Sequence, residues 1–179
     1  MGTVRFTHRL ATAADLGVLR TLMGASISEL QRPFLDPDQI ESSRTIMGLD
    51  TQLVEDRTYF VVESGIQIAG CGGWSRRATL YGGDQTPGRN ATYLHPKRDP
   101  AKVRAMYTHP ACARQGIGRL ILSLCESAAQ NEGFSSVELM ATKSGEPLYL
   151  AFGYNAVEHI LDDRGGAPVP LIRMRKEFA

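Results

Sequence analysis

Cysteine is scarce in this chain of 179 residues: three, at positions 71, 112 and 125, with no Cys-x-x-Cys pair. An odd, widely spaced set argues against a disulfide framework and against a zinc site. Cys125 reads as a core residue, and Cys112 has no second thiol or base beside it that would suit catalysis. His95 and His109 have no partner at ligand spacing, so no metal is expected. Charge of one sign is also lacking, since 20 Lys and Arg stand against 19 Asp and Glu. Nothing there points to nucleic acid or to a membrane surface, and any basic site must be local. No apolar run is long enough for a bilayer, and Met1-Gly2-Thr3-Val4-Arg5 has no apolar signal core, so a cytoplasmic protein is expected. With no export signal, Asn90-Ala91-Thr92 reads as a chance match to a glycosylation acceptor.

What is present is an ordinary globular composition of one domain's size, 1–179. Val4 to Leu10 reads as a strand, and Thr12 as the cap of a helix whose apolar residues recur from Leu16 to Leu30. Pro33 and Pro37 end that helix, and a shorter one is expected from Asp38 to Leu49. Thr58–Glu63 and Ile66–Trp74 form a hairpin across Ser64-Gly65. Gly70, Gly72 and Gly73 suggest a bulge or the close approach of another element. The stretch 81–100 is too long for a plain connection and reads as a mobile loop or a lid. Strands follow at Lys102–Thr108 and Val137–Ala141, separated by a helix over 115–131 with Ile117, Leu120, Ile121, Leu124, Cys125 and Ala128 on one face. A short helix at Pro147–Phe152 and two closing strands, Ala156–Leu161 and Pro170–Lys176, complete the chain. The fold class is α+β or mixed α/β, with one mostly antiparallel sheet of about six to seven strands and about four flanking helices.

The most informative segment is Ala113-Arg114-Gln115-Gly116-Ile117-Gly118-Arg119. A strand, a glycine-bearing turn and a helix start leave free N–H groups aimed at one point, where the helix dipole favours an anion. Arg114 and Arg119 add positive charge. The turn lacks the third glycine of a dinucleotide fingerprint, because Ile121 stands there.

With these residues in place, the chain resembles GNAT-type N-acetyltransferases over nearly its whole element order, most strongly from Val103 to Tyr154. The central motif of that superfamily is Arg or Gln, two residues, Gly, any residue, then Gly or Ala. Gly116 and Gly118 fill its small positions, and Ala113 departs from its first. A second family motif, a tyrosine in a short helix ending Gly-aromatic, is matched by Leu148-Tyr149-Leu150-Ala151-Phe152-Gly153-Tyr154.

The resemblance implies acetyl-CoA as donor and the amine of a small molecule or peptide as acceptor. Transfer is direct, in a ternary complex. It implies that the backbone of Arg114, Gln115, Gly116, Ile117, Gly118 and Arg119 holds the pyrophosphate. Met106, Tyr107 and Thr108 would pair with the pantetheine arm. It makes Tyr149 the general acid for the departing thiolate and Glu138 the candidate base, with Glu63 second. Trp74, Arg76, Arg77, Tyr81 and the loop to Pro100 would build the acceptor pocket, the two arginines suiting an acidic acceptor. The closing strands offer a surface for a homodimer. Two alternatives stand beside this reading: a non-catalytic acetyl-CoA sensor, and a nucleotide-dependent oxidoreductase.

Overall fold

The structure, a computed structural model, describes residues 5–179. Val4, the expected first residue of the opening strand, lies outside them. Seven strands form one sheet: β1 (Phe6–Leu10), β2 (Tyr59–Ser64), β3 (Gln67–Ser75), β4 (Ala101–Thr108), β5 (Ser136–Thr142), β6 (Asn155–Asp162) and β7 (Val169–Glu177). Their spatial order is β1-β2-β3-β4-β5-β7-β6, and every pair is antiparallel except β4 with β5. The expected sheet is therefore present in class, strand number and sense.

Helix α1 (Leu16–Leu30) follows a short 3-10 turn at Ala13–Asp15. The turn is fixed where the Thr12 N–H donates to Asp15 Oδ2 at 2.7 Å, while Arg9 clamps both oxygens of the same carboxylate at 2.8 Å. Pro37 does not merely end the preceding segment, as expected, but opens α2 (Pro37–Ile46). At that position the missing N–H costs nothing. A capping box holds the start of the helix, with the Gln39 N–H donating to Asp36 Oδ1 and the Asp36 N–H to Gln39 Oε1. A further helix, α3 (Thr51–Glu55), was not expected. It begins where Asp50 accepts from the Gln52 N–H.

Helix α4 (Ile117–Asn131) packs on one face of the sheet, burying Ile117, Ile121, Leu122, Cys125 and Ala129 against Val103, Val137 and Leu139. Leu122 and Ala129 belong to this stripe, while Leu120, Leu124 and Ala128 flank it half-buried. β3 carries glycine beneath the helix because a Cβ on Gly70 would lie 2.4 Å from Ile117, and one on Gly72 would lie 2.6 Å from Ile121. The opposite face is covered by α1 and α3, with Leu19, Leu22, Leu53, Val61 and Cys71 in its core.

One irregularity positions the site. Cys71 pairs with Tyr107 and Gly73 with Arg104, so β4 carries an extra residue there. Ala105 takes up the bulge at φ 54°. On its other side, β4 pairs with β5 only from Ala101 to Val103. Beyond that point the two parallel strands part. The β5-facing edge of β4 from Arg104 to Thr108 has no strand partner, and a cleft opens beside it.

The stretch 81–100 contains no helix or strand. It is nevertheless tied down. Ala78 donates to the Thr92 carbonyl, Thr79 to that of Asn90 and Thr86 to that of Thr45, and Arg89 reaches Asp50. The short helix α5 (Glu146–Ala151) packs at the mouth of the cleft.

Candidate active site

A cavity of about 850 Å³ runs through the cleft between β4 and β5. Its outer end is the turn before α4. Gly116 caps the helix at φ 85°, a conformation that costs an L-residue with a side chain about 1–2 kcal/mol. Arg114 precedes it at φ 60°. The first helical bond runs from the Leu120 N–H to the Gly116 carbonyl, so the N–H groups of Ile117, Gly118 and Arg119 have no helical acceptor. Ala113, Arg114, Gly116, Ile117, Gly118 and Arg119 all line the cavity, while Gln115 is exposed outside its wall. Gly118 has a packing role as well: its missing Cβ would lie 2.8 Å from Leu148 on α5. His109 ends β4 as a cap, its Nδ1 accepting from the Ala111 N–H.

The middle of the cavity is the open edge of β4. Met106, Tyr107 and Thr108 line it, with Leu139, Met140 and Thr142 of β5 opposite. The Tyr107 hydroxyl accepts from the Gly48 N–H at 2.9 Å, which ties the segment after α2 to this edge. Tyr59 donates to the Ala105 carbonyl at 2.7 Å and so holds the bulge. Tyr149 enters from α5, its hydroxyl 3.7 Å from Met106 Sδ. Burial pushes the Tyr149 phenol well above its usual range, so it keeps its proton at neutral pH.

The inner end is a chamber between α1, the end of α2, the loop at Leu80–Gly82 and the sheet. Its wall is mostly apolar, from Ile27, Leu30, Phe34, Ile46, Met140 and Leu171. Tyr81 lines this chamber, its hydroxyl donating to Asp162 at 2.7 Å; burial, reinforced by that carboxylate, raises its pKa to about 12. Arg104 lines the chamber beside the bulge. It is buried, 2.7 Å from Asp50, and burial lowers its pKa to about 10 despite that carboxylate.

Several expected site residues lie elsewhere. Trp74 is buried in the core edge-on to Phe134. Arg76 is paired with Glu132 at the far end of α4, and Arg77 with Asp56 at 2.7 Å. None of the three lines the cavity. β3 and β4 are antiparallel, so the residues ending β3 stand beside the start of β4, opposite the glycine turn. Glu63 pairs with Arg9 on the outer strands. Glu138 is not at the cavity either. Its carboxylate is buried between Lys102 Nζ at 2.8 Å and an Arg173 nitrogen at 2.7 Å. Burial would raise its pKa, but the two cations outweigh that and hold it below the usual range. Arg104 and Gln31 are lining residues that the sequence reading missed.

Residues 85–178, more than half of the chain, match the family model of an acetyltransferase (GNAT) domain. Comparison with curated proteins found no match. Among solved structures, a GCN5-related N-acetyltransferase from Rhodopseudomonas palustris is 14% identical, covers 99% of both chains and superposes with a TM-score of 0.74. yncA from Salmonella typhimurium, solved with its cofactor acetyl-CoA, is 16% identical over 98% of this chain and 95% of its own, with a TM-score of 0.65. The PaiA N-acetyltransferase of Thermoplasma acidophilum, in complex with coenzyme A, is 13% identical over 97% and 99%, with a TM-score of 0.63. At these identities the likeness is one of fold. The family match, with the cleft and the glycine turn in their places, makes this chain a member of the GNAT acetyltransferases.

Proposed function

We propose that the chain transfers an acetyl group from acetyl-CoA to the primary amine of a small molecule or peptide, by direct attack with both substrates bound. The observation that carries this reading is one continuous cavity joining an anion cradle, an open strand edge, a protonated phenol and an apolar chamber. The free N–H groups at Ile117 to Arg119, with Arg114 and Arg119, suit a pyrophosphate. The unpaired edge from Arg104 to Thr108 suits the amides of a pantetheine arm, which would add to the sheet as an extra strand. When bound, the donor supplies an acyl group activated as a thioester.

The amine nitrogen forms the new C–N bond as the C–S bond breaks. One amine proton leaves to water, and the departing sulfur takes the proton of the Tyr149 hydroxyl, which water then restores. A free thiol has a pKa of about 8.5, so a donor at this point lowers the barrier to departure. Among the described residues, no carboxylate or imidazole lines the cavity. Burial in the apolar chamber therefore takes over part of the work of a base, because desolvation disfavours the ammonium form.

Thiol release from acetyl-CoA across a panel of amines tests the reading. Initial rates should give intersecting double-reciprocal lines. Tyr149→Phe should lower kcat by about 10²–10⁴-fold while leaving the Kd for CoA unchanged. Binding of CoA with no amine-dependent thiol release would make the protein a sensor. Stabilisation by NAD but not by CoA would overturn the reading entirely.

A further inference from the structure

The charge lining the cavity is one-sided. Arg104, Arg114 and Arg119 face it, and among the described residues no aspartate, glutamate, histidine or lysine does. Arg114 and Arg119 belong to the glycine turn, so Arg104 is the charged residue of the inner chamber.

The carboxylates nearest the chamber are already matched. Asp50 lies 2.7 Å from both Arg104 and Arg89. Asp162 accepts from Tyr81 and pairs with Arg164 at 2.6 Å. Glu138, two residues along β5 from the lining Met140, is held by Lys102 and Arg173. Asp84 and Glu158 reach Arg89 and Arg173 from the solvent side, where water and salt screen them. A polycationic acceptor would thus leave water for a chamber that offers its charges no counter-ion, a costly transfer.

Two buried polar groups on the chamber wall are also left short of partners. Arg104 is 3% exposed and shares the single carboxylate of Asp50 with Arg89, so the two guanidiniums carry one positive charge more than that partner balances. The Gln31 side-chain oxygen is buried and has no partner, while its nitrogen has only Met47 Sδ at 3.5 Å. Buried guanidinium and amide groups are ordinarily satisfied, and a group left unpaired costs most of its desolvation. A ligand bringing an anion for Arg104 and an N–H for Gln31 completes both.

We propose that the acceptor is a small amine on an apolar skeleton that also carries a carboxylate, in the manner of an apolar amino acid. Arg104 selects the carboxylate and Gln31 receives an N–H. The inference rests on the acetyl-transfer reading of the same cavity and names its acceptor class. The arginines that select this acceptor are not Arg76 and Arg77, which form ion pairs outside the cavity, but the one at the β4 bulge.

The test is equilibrium binding to the CoA-loaded protein, which requires no turnover. Leucine and phenylalanine are titrated against leucinamide, phenylalaninamide and spermidine. The acids should bind at least about tenfold more tightly than their amides, and spermidine should give no saturable signal. Arg104→Gln should bring acid and amide to equal affinity. Where that variant does not fold, the acid-to-amide ratio of the unaltered protein decides. Equal or tighter binding of the amides, tighter binding of spermidine, or no binding of either acid overturns the inference. Acids that bind on CoA but promote no thiol release from acetyl-CoA support it while overturning acetyl transfer.

Discussion

Replacing Glu138 with glutamine separates a structural carboxylate from a catalytic one. The Glu138 side chain is 6% exposed and its partner Lys102 10%, so the pair is buried. Removing one partner of such a pair costs about 3–5 kcal/mol, because the other charge is left without compensation. Glutamine keeps the shape and one acceptor oxygen, which places the loss near the lower end. Arg173 is 35% exposed, and solvent limits its share to less than about 1 kcal/mol. A loss of about 3 kcal/mol in a chain of this length lowers Tm by about 6–12 °C. Thermal melts and urea titrations of Glu138→Gln should show this fall, and kcat measured well below the melt should stay within a few-fold of the unaltered enzyme. The folded pKa of Glu138 is depressed, so its contribution is full above the usual glutamate pKa of about 4.3 and is lost as pH falls through the lower folded value. The stability difference between the two proteins should shrink on acidification. A Tm shift below about 2 °C together with a kcat loss above about 100-fold would refute the structural role and make Glu138 the base.

Gly116→Ala forces a side chain into φ 85°, and the strain of about 1–2 kcal/mol should appear as a Kd for CoA weakened about tenfold; calorimetry showing an unchanged Kd would sink the role of the turn. Gly70→Ala sets a methyl 2.4 Å from Ile117 and 3.2 Å from the Tyr107 carbonyl, so the urea midpoint should fall by the equivalent of about 1–3 kcal/mol; no shift would show that α4 does not press on β3 there. Arg9 holds the Asp15 carboxyl down to about 2, below its usual pKa of about 3.9. The stability that Asp15 contributes is therefore full above that usual value and disappears as pH falls toward 2. Asp15→Asn should be less stable than the unaltered protein at pH 7, with most of the difference gone by about pH 2, and a pH-independent difference would contradict this.

The sheet and the glycine turn were legible because they are written in local patterns. The periodicity around Ile117, Ile121 and Cys125 marks α4, and Gly116 and Gly118 mark its start. α3 escaped because five residues show little more than one helical turn of pattern. Three of the expected acceptor residues lie off the cavity for a topological reason. Trp74 stands near the end of β3 and Arg76 and Arg77 follow it, and the antiparallel sense of β3 and β4 puts them at the end of the sheet away from Gly116. The antiparallel pairing of β3 with β4 spans the long 76–100 connection, so no tight-turn signal marks it in the sequence. Arg104 was invisible for another reason. Its partner Asp50 lies 54 positions earlier in the chain, and a charged residue within Lys102-Val103-Arg104 reads locally as an outward strand position. The bulge at Ala105, which parts β4 from β5, also has no local mark, since alanine rarely adopts that backbone.

The contact between Gly118 and Leu148 has a mechanical meaning. Gly118 belongs to the helix end that presents free N–H groups, and Leu148 precedes Tyr149, whose phenol lines the same cavity. The absent methyl lets the Leu148 side chain lie directly over the first turn of α4, so the glycine turn and α5 share a single gauge of spacing. A methyl at position 118 would press first on the Leu148 side chain, one residue before Tyr149. Glycine at that position sets how closely the turn and the helix bearing Tyr149 can approach across the cleft mouth.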